Sequence, residues 1–178
     1  MKLGSWKLIL GLTLVAMLVL SAGWSAPAWS RPDDYELIGT WRVTVTQANC
    51  STGATMGKFQ SILTFADGGT MAEDTTNRAF ATGQRSAGQG TWQYTGHRAY
   101  TAKSIAFINF DTPTPPTGPA PIPFFKMGTQ TIAQTIVFNG TPDEWTSNAT
   151  VQFDDSTGAP YAPSPAPACV TAVAQRFK

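Results

Sequence analysis

The 178-residue sequence has one histidine, two cysteines and almost no net charge, with twelve Lys and Arg against eleven Asp and Glu. With His97 as the sole imidazole, no His-based metal cluster can assemble, and neither a metal nor a cofactor is expected. No basic stripe appears, which argues against nucleic acid and anionic membrane surfaces as partners. Charged residues make up only 13% of the chain. Beyond residue 30 no segment sustains an apolar period of 3.6, so helices are not expected to build the fold. No Gly-rich phosphate loop, zinc motif, calcium loop or nucleophile elbow is present, and no catalytic residue is assigned.

The one long hydrocarbon run, residues 8–20, follows Lys2 and Lys7 and precedes small residues. That order is the secretory signal pattern, and thirteen residues fall short of the roughly 20 that a spanning helix needs. Residues 1–30 are therefore expected to be cleaved, after Ala28 or Ser30, leaving residues 31–178 as one domain without a membrane span. The expected location is outside the cell, in the periplasm or at the cell envelope. Losing Lys2 and Lys7 leaves ten bases against eleven acids, a net charge of −1. In an exported chain the pair Cys50 and Cys169 is expected to form a disulfide.

Period-2 alternation fills the rest of the chain. Over 37–46, Leu37, Gly39, Trp41, Val43 and Val45 share one face, while Thr40, Arg42, Thr44 and Thr46 share the other. Similar patterns cover 57–66, 70–76, 88–95, 98–109, 129–139, 144–154 and 169–177, making eight strands. Asp67-Gly68-Gly69 and Asn139-Gly140 supply turn chemistry between them. Residues 110–128 contain six prolines and read as a long loop, with Phe124 and Phe125 as a lid. A second Pro/Ala-rich stretch spans 156–168. Eight strands with one apolar face each would leave that face and two edges wet in a flat sheet, so a closed barrel or a sandwich is required. Hairpin-by-hairpin order favours an all-β, antiparallel, up-and-down barrel.

Gly39-Thr40-Trp41 on the first strand, the eight-strand meander and Arg176 on the last strand resemble the lipocalin-like, or calycin, barrels. The stretches "FADGGT", "GTWQYTG" and "AQRF" are similar to small exported bacterial barrels of unassigned function, and avidin-type barrels also open on Gly-Thr-Trp. The helix that precedes the last strand in typical lipocalins has no evident counterpart. The resemblance implies that Trp41 closes one barrel end, that Arg176 packs over its indole, and that Gly39 permits close approach beside them. A register check is available, because antiparallel partner numbers sum to a constant. Trp41 opposite Arg176 gives 217 and Cys50 opposite Cys169 gives 219, and a bulge or the strand end must absorb the difference.

The interior of an eight-stranded barrel is either filled by side chains or holds one small ligand. Phe59, Trp92, Tyr94, Tyr100, Phe138 and Gln134 fall on inner faces and are the candidate cavity wall. The expected function is non-catalytic binding of a small apolar or amphipathic molecule by a monomer. Two alternatives stand beside it. One is an isomerase or cyclase similar to allene-oxide-cyclase-like barrels, for which Glu73 is the single candidate inward carboxylate. The other is a cell-envelope structural or interaction protein without a ligand, using 110–128 as contact surface. His97 reads as an exposed turn residue, and Glu73-Asp74 and Asp154-Asp155 read as solvated carboxylates.

Overall fold

The computed structural model describes residues 36–110, 128–161 and 168–178. The leader-like residues 1–30 and the lid residues Phe124 and Phe125 lie outside that set. Nine strands run in order: β1 (Gly39–Asn49), β2 (Thr55–Ala66), β3 (Thr70–Thr75), β4 (Gly88–Gly96), β5 (Ala99–Ile108), β6 (Gly128–Phe138), β7 (Glu144–Asp155), the two-residue β8 (Pro160–Tyr161) and β9 (Ala168–Arg176). No helix occurs among the described residues. Consecutive strands from β1 to β7 pair antiparallel, β9 sits between β1 and β7, and β8 adds only at the end of β7. Those pairings close an eight-stranded barrel and exclude the sandwich.

Alternation sets which side chains enter. Trp41, Val43 and Val45 are buried while Arg42 and Thr44 are exposed; β5 buries Tyr100, Ala102, Ser104 and Ala106 on the same rule. Trp41 pairs with Arg176 as expected, and the 217 register continues unbroken to Asn49 opposite Ala168. The two-residue difference is taken up by the strand end: Cys50 lies just past β1 and reaches back to Cys169, which pairs with Ala48. The disulfide forms with the two Cα atoms 5.0 Å apart.

The two ends of the barrel are built differently. At one, short connections join β2 to β3, β4 to β5 and β6 to β7, and the chain's residues 36–38 and 177–178 lie beside them. Gly68 and Gly69 (φ 88° and 85°) make the β2–β3 turn. In the β4–β5 turn His97 and Arg98 hold φ of 54° and 57° without being glycine, a conformation that costs such residues of order 1 kcal/mol. Arg98 is fastened there by Glu36, which accepts from its Nε and Nη2, and by the carbonyls of Gly140 and Thr141.

Arg176 closes this end. Its guanidinium stands 4.2 Å above the Trp41 ring and donates to the carbonyls of Glu36, Ile38 and Pro142 and to Asp143. Gly39 (φ 125°) makes room, since a Cβ there would stand 3.0 Å from Arg176 Nη1. Below lies an aromatic layer in which Trp41 contacts Phe138 and Trp145, Phe65 contacts Trp92 and Trp145, and Tyr100 contacts Trp92, Tyr94 and Phe138. The layer fills this half of the barrel with apolar volume.

Candidate functional site

The other end is left to longer connections, and one of them enters the barrel. β3 and β4 pair only over Thr70–Glu73 and Gly88–Thr91. Past that point the 76–87 connection takes the place of β4: Arg85 bridges to Ile108, Ser86 N–H donates to the Phe107 carbonyl and Asn109 N–H to that of Gln84. This pairing turns Arg85 inward and brings Phe80 beside Phe153.

Between this plug and the aromatic layer lies a cavity of about 60 Å³, space for on the order of four or five waters. Its two walls differ. Val43, Val45, Ala149, Val151, Val170 and Ala172, from β1, β7 and β9, form a mainly apolar side, which Gln47 and Ser147 interrupt. Facing it are Glu73, Arg85, Gln130 and Gln134, from β3, the 76–87 connection and β6, with Phe59 and Phe80 also on the lining.

The polar side is organised by one ion pair. Arg85 Nη2 donates to Glu73 Oε1 at 3.0 Å, with the two side chains 4% and 8% exposed. Ser104 Oγ donates to Glu73 Oε2 at 2.9 Å, and Arg85 Nε donates to Gln130 Oε1. A buried pair of this kind stands only when its remaining hydrogen-bonding groups are also met. Gly88, directly across from Glu73 on β4, supplies the space: a Cβ there would sit 3.0 Å from Glu73 Oε2. Nearby, Ser147 Oγ bonds Gln134 Oε1 at 3.2 Å, and the Ser61 and Thr75 hydroxyls pair at 3.0 Å.

Of the residues named from the sequence, Phe59 and Gln134 line the cavity. Tyr100 and Phe138 are buried in the aromatic layer, and Trp92 and Tyr94 are half-buried against it. Trp92 is further tied to the closed end by its indole N–H, which donates to the Ala66 carbonyl. Gly39, Trp41 and Arg176 meet at that same end. His97 is exposed in its turn there, away from the cavity. Glu73 is inside the barrel, whereas its neighbour Asp74 is exposed. Sequence reasoning missed Arg85, Phe80 and Gln130. A signal existed for Gln130, which shares the parity of Gln134, Ile136 and Phe138 on its strand.

Two carboxylates at the surface are held below the ordinary aspartate range. Lys178 donates to Asp143 and, with Arg176, lowers its pKa against an opposing effect of burial. Asp155 is lowered by the Thr157 hydroxyl and then by the amides of Thr157, Ala159 and Gly158 in the turn before β8. Both serve turns and closure and stand outside the cavity. Among the described residues no group of three or more His, Cys, Asp or Glu could hold a metal ion, and no helix is long and apolar enough to cross a membrane.

A broader hollow of about 810 Å³ lies across β4, β5, β6, β7 and β9, lined largely by outward residues such as Thr91, Thr135, Asn148, Thr150 and Thr171. Gln134, Ala149 and Val170 line both spaces. Among the described residues the hollow's one charge is Lys103, whereas the buried ion pair lies on the smaller interior cavity, which is therefore the candidate site.

Fold and site together define a closed antiparallel β-barrel with one sealed end and a small two-sided cavity behind a plug at the other. No protein-family model and no curated protein matches the chain. Among solved structures, that of EF1p2_mFAP2b bound to DFHBI is similar, with 18% identity and a TM-score of 0.44, covering 80% of this chain and 94% of that one.

Proposed function

We propose that the protein is an exported, monomeric, lipocalin-like barrel that binds a small amphipathic molecule in its interior cavity without transforming it. The observation that carries this reading is the cavity itself, in which a buried, hydrogen-bonded polar wall faces an apolar one. Such a surface suits a molecule with one polar and one apolar side. At about 60 Å³ the cavity has room for only a few heavy atoms, which suits a very short ligand or the head of a longer one. Export is supported by the leader-like residues 1–30 and by the Cys50–Cys169 disulfide. The Trp41–Arg176 closure supports the calycin-like assignment.

Isothermal calorimetry and thermal-shift measurements with short-chain amphiphiles test the reading. Ala149→Leu places extra volume in the cavity and should abolish whatever binding the wild type shows. Binding that survives this substitution unchanged would put the site elsewhere.

One observation keeps an isomerase or cyclase in view: Glu73 is inside the barrel, beside the cavity. Both of its oxygens are already engaged, one by Arg85 and one by Ser104, so a substrate proton would have to reach a remaining lone pair past those two donors. That arrangement favours binding over general-base chemistry.

A further inference from the structure

We infer that the cavity selects an uncharged ligand carrying a hydrogen-bond-accepting oxygen, such as a ketone, ester or amide carbonyl, and rejects free carboxylates and amines. The inference rests on the binding reading above and narrows it to a ligand class.

Charge is the first reason. Among the described residues Glu73 and Arg85 are the only charged ones on the cavity lining, and they neutralise each other at 3.0 Å while almost wholly buried. An incoming carboxylate therefore finds no free cation and meets the Glu73 charge in a low-dielectric site. An ammonium meets Arg85 with its only counter-charge already occupied. A neutral head incurs neither repulsion.

Donor orientation is the second reason. Arginine has donors and no acceptor, so Gln130 must present its carbonyl oxygen to Arg85 Nε and turn its amide nitrogen away. Gln130 is 5% exposed and lines the cavity, and its Nε2 has no partner among the described residues. Gln134 is arranged similarly: its oxygen is engaged by Ser147, and its nitrogen has no partner among the described residues. Gln130 is buried and Gln134 half-buried, and both nitrogens belong to side chains on the cavity lining, where they are open to whatever enters it. An oxygen acceptor beside either nitrogen takes its hydrogen bond, while the hydrocarbon part lies against Val45, Val151 and Val170.

The test compares octan-2-one, octanoate and octylammonium at pH 7 by isothermal calorimetry on the mature chain, with Glu73→Gln and Gln134→Leu as variants. Expected is at least tenfold tighter binding of octan-2-one than of either ion, and a loss of about tenfold for the ketone in Gln134→Leu. Glu73→Gln frees Arg85 and should raise octanoate affinity by about tenfold; Gln134→Leu keeps the test open should the first variant fail to fold. Octanoate binding the wild type as tightly as the ketone overturns the inference and leaves the binding reading standing. Ketone affinity unchanged in Gln134→Leu also overturns it. Failure of all three probes to bind defeats the binding reading itself, and the inference with it.

Discussion

Removing the Arg176 side chain should be among the most damaging single changes to this fold. The guanidinium reaches four acceptors in two segments (the carbonyls of Glu36, Ile38 and Pro142, and the Asp143 carboxylate) and covers Trp41 at 4.2 Å. Its side chain is 22% exposed, so water can reach some of the abandoned acceptors but not all. A dry, unsatisfied group costs about 1–3 kcal/mol, and the lost ring contact adds about 0.5–2 kcal/mol. With partial rescue by water, Arg176→Ala should destabilise the barrel by about 3–5 kcal/mol, in the range found for breaking buried charge pairs. At roughly 2–4 °C per kcal/mol for a chain of this size, Tm should fall by about 6–20 °C. Urea denaturation of the oxidised protein, followed by tryptophan fluorescence, measures this directly. Arg176→Lys keeps the charge but loses the planar fork, and should recover less than half of the loss. If the alanine variant lies within about 1 kcal/mol of wild type, or the lysine variant matches wild type, the closure reasoning is wrong.

Three further outcomes follow from the same structure. Gly39→Ala puts a Cβ at a φ of 125° and 3.0 Å from Arg176 Nη1, and should cost about 1–3 kcal/mol in the same urea assay. The Cys50–Cys169 bridge spans 119 residues, so the Cys50→Ala/Cys169→Ala double variant should lose up to about 4–5 kcal/mol under non-reducing conditions. Asp143 has its pKa lowered in the folded state, first by Lys178, so its contribution is present above the unfolded aspartate value near 4 and is lost as pH falls through the lower folded value. Urea melts from pH 7 down to 2.5 should therefore show Asp143→Asn less stable than wild type at neutral pH, with the gap closing in acid. A gap that is constant with pH would remove the carboxylate's charge from the explanation.

The fold was legible because a barrel strand has one wet and one dry face, and that difference is written as alternation. Trp41, Val43 and Val45 against Arg42 and Thr44 is enough to place β1. The resemblance paired Trp41 with Arg176 and the expectation of export paired Cys50 with Cys169; antiparallel arithmetic then showed that the two pairs demand nearly the same register. The candidate site was less legible, for two physical reasons. Parity says whether a side chain points inward but not how high it stands along the barrel axis. Trp92 and Tyr100 are turned inward as read, yet they belong to the layer at the sealed end, while Phe59 and Gln134 stand at the cavity. Arg85 is hidden for a different reason. It lies in a connection without periodicity, and it turns inward only because residues 84–86 borrow the edge of β5 where β4 has ended. The glycines of "GQGTW" carry a related message: Gly88 leaves room for Glu73, and at Gly90 a Cβ would come within 2.0 Å of the Lys103 carbonyl. They mark a close approach of backbone and buried carboxylate.

The most direct test of the interior site is the response of side-chain amide resonances to a bound neutral ligand. In a ¹⁵N-labelled sample titrated with octan-2-one, the NH₂ signals of Gln130 and Gln134 should shift and saturate together, while those of Gln93, exposed on the outer face of β4, should stay fixed. Saturable shifts on Gln93 with Gln130 and Gln134 unmoved would place binding on the outside of the barrel and contradict the account.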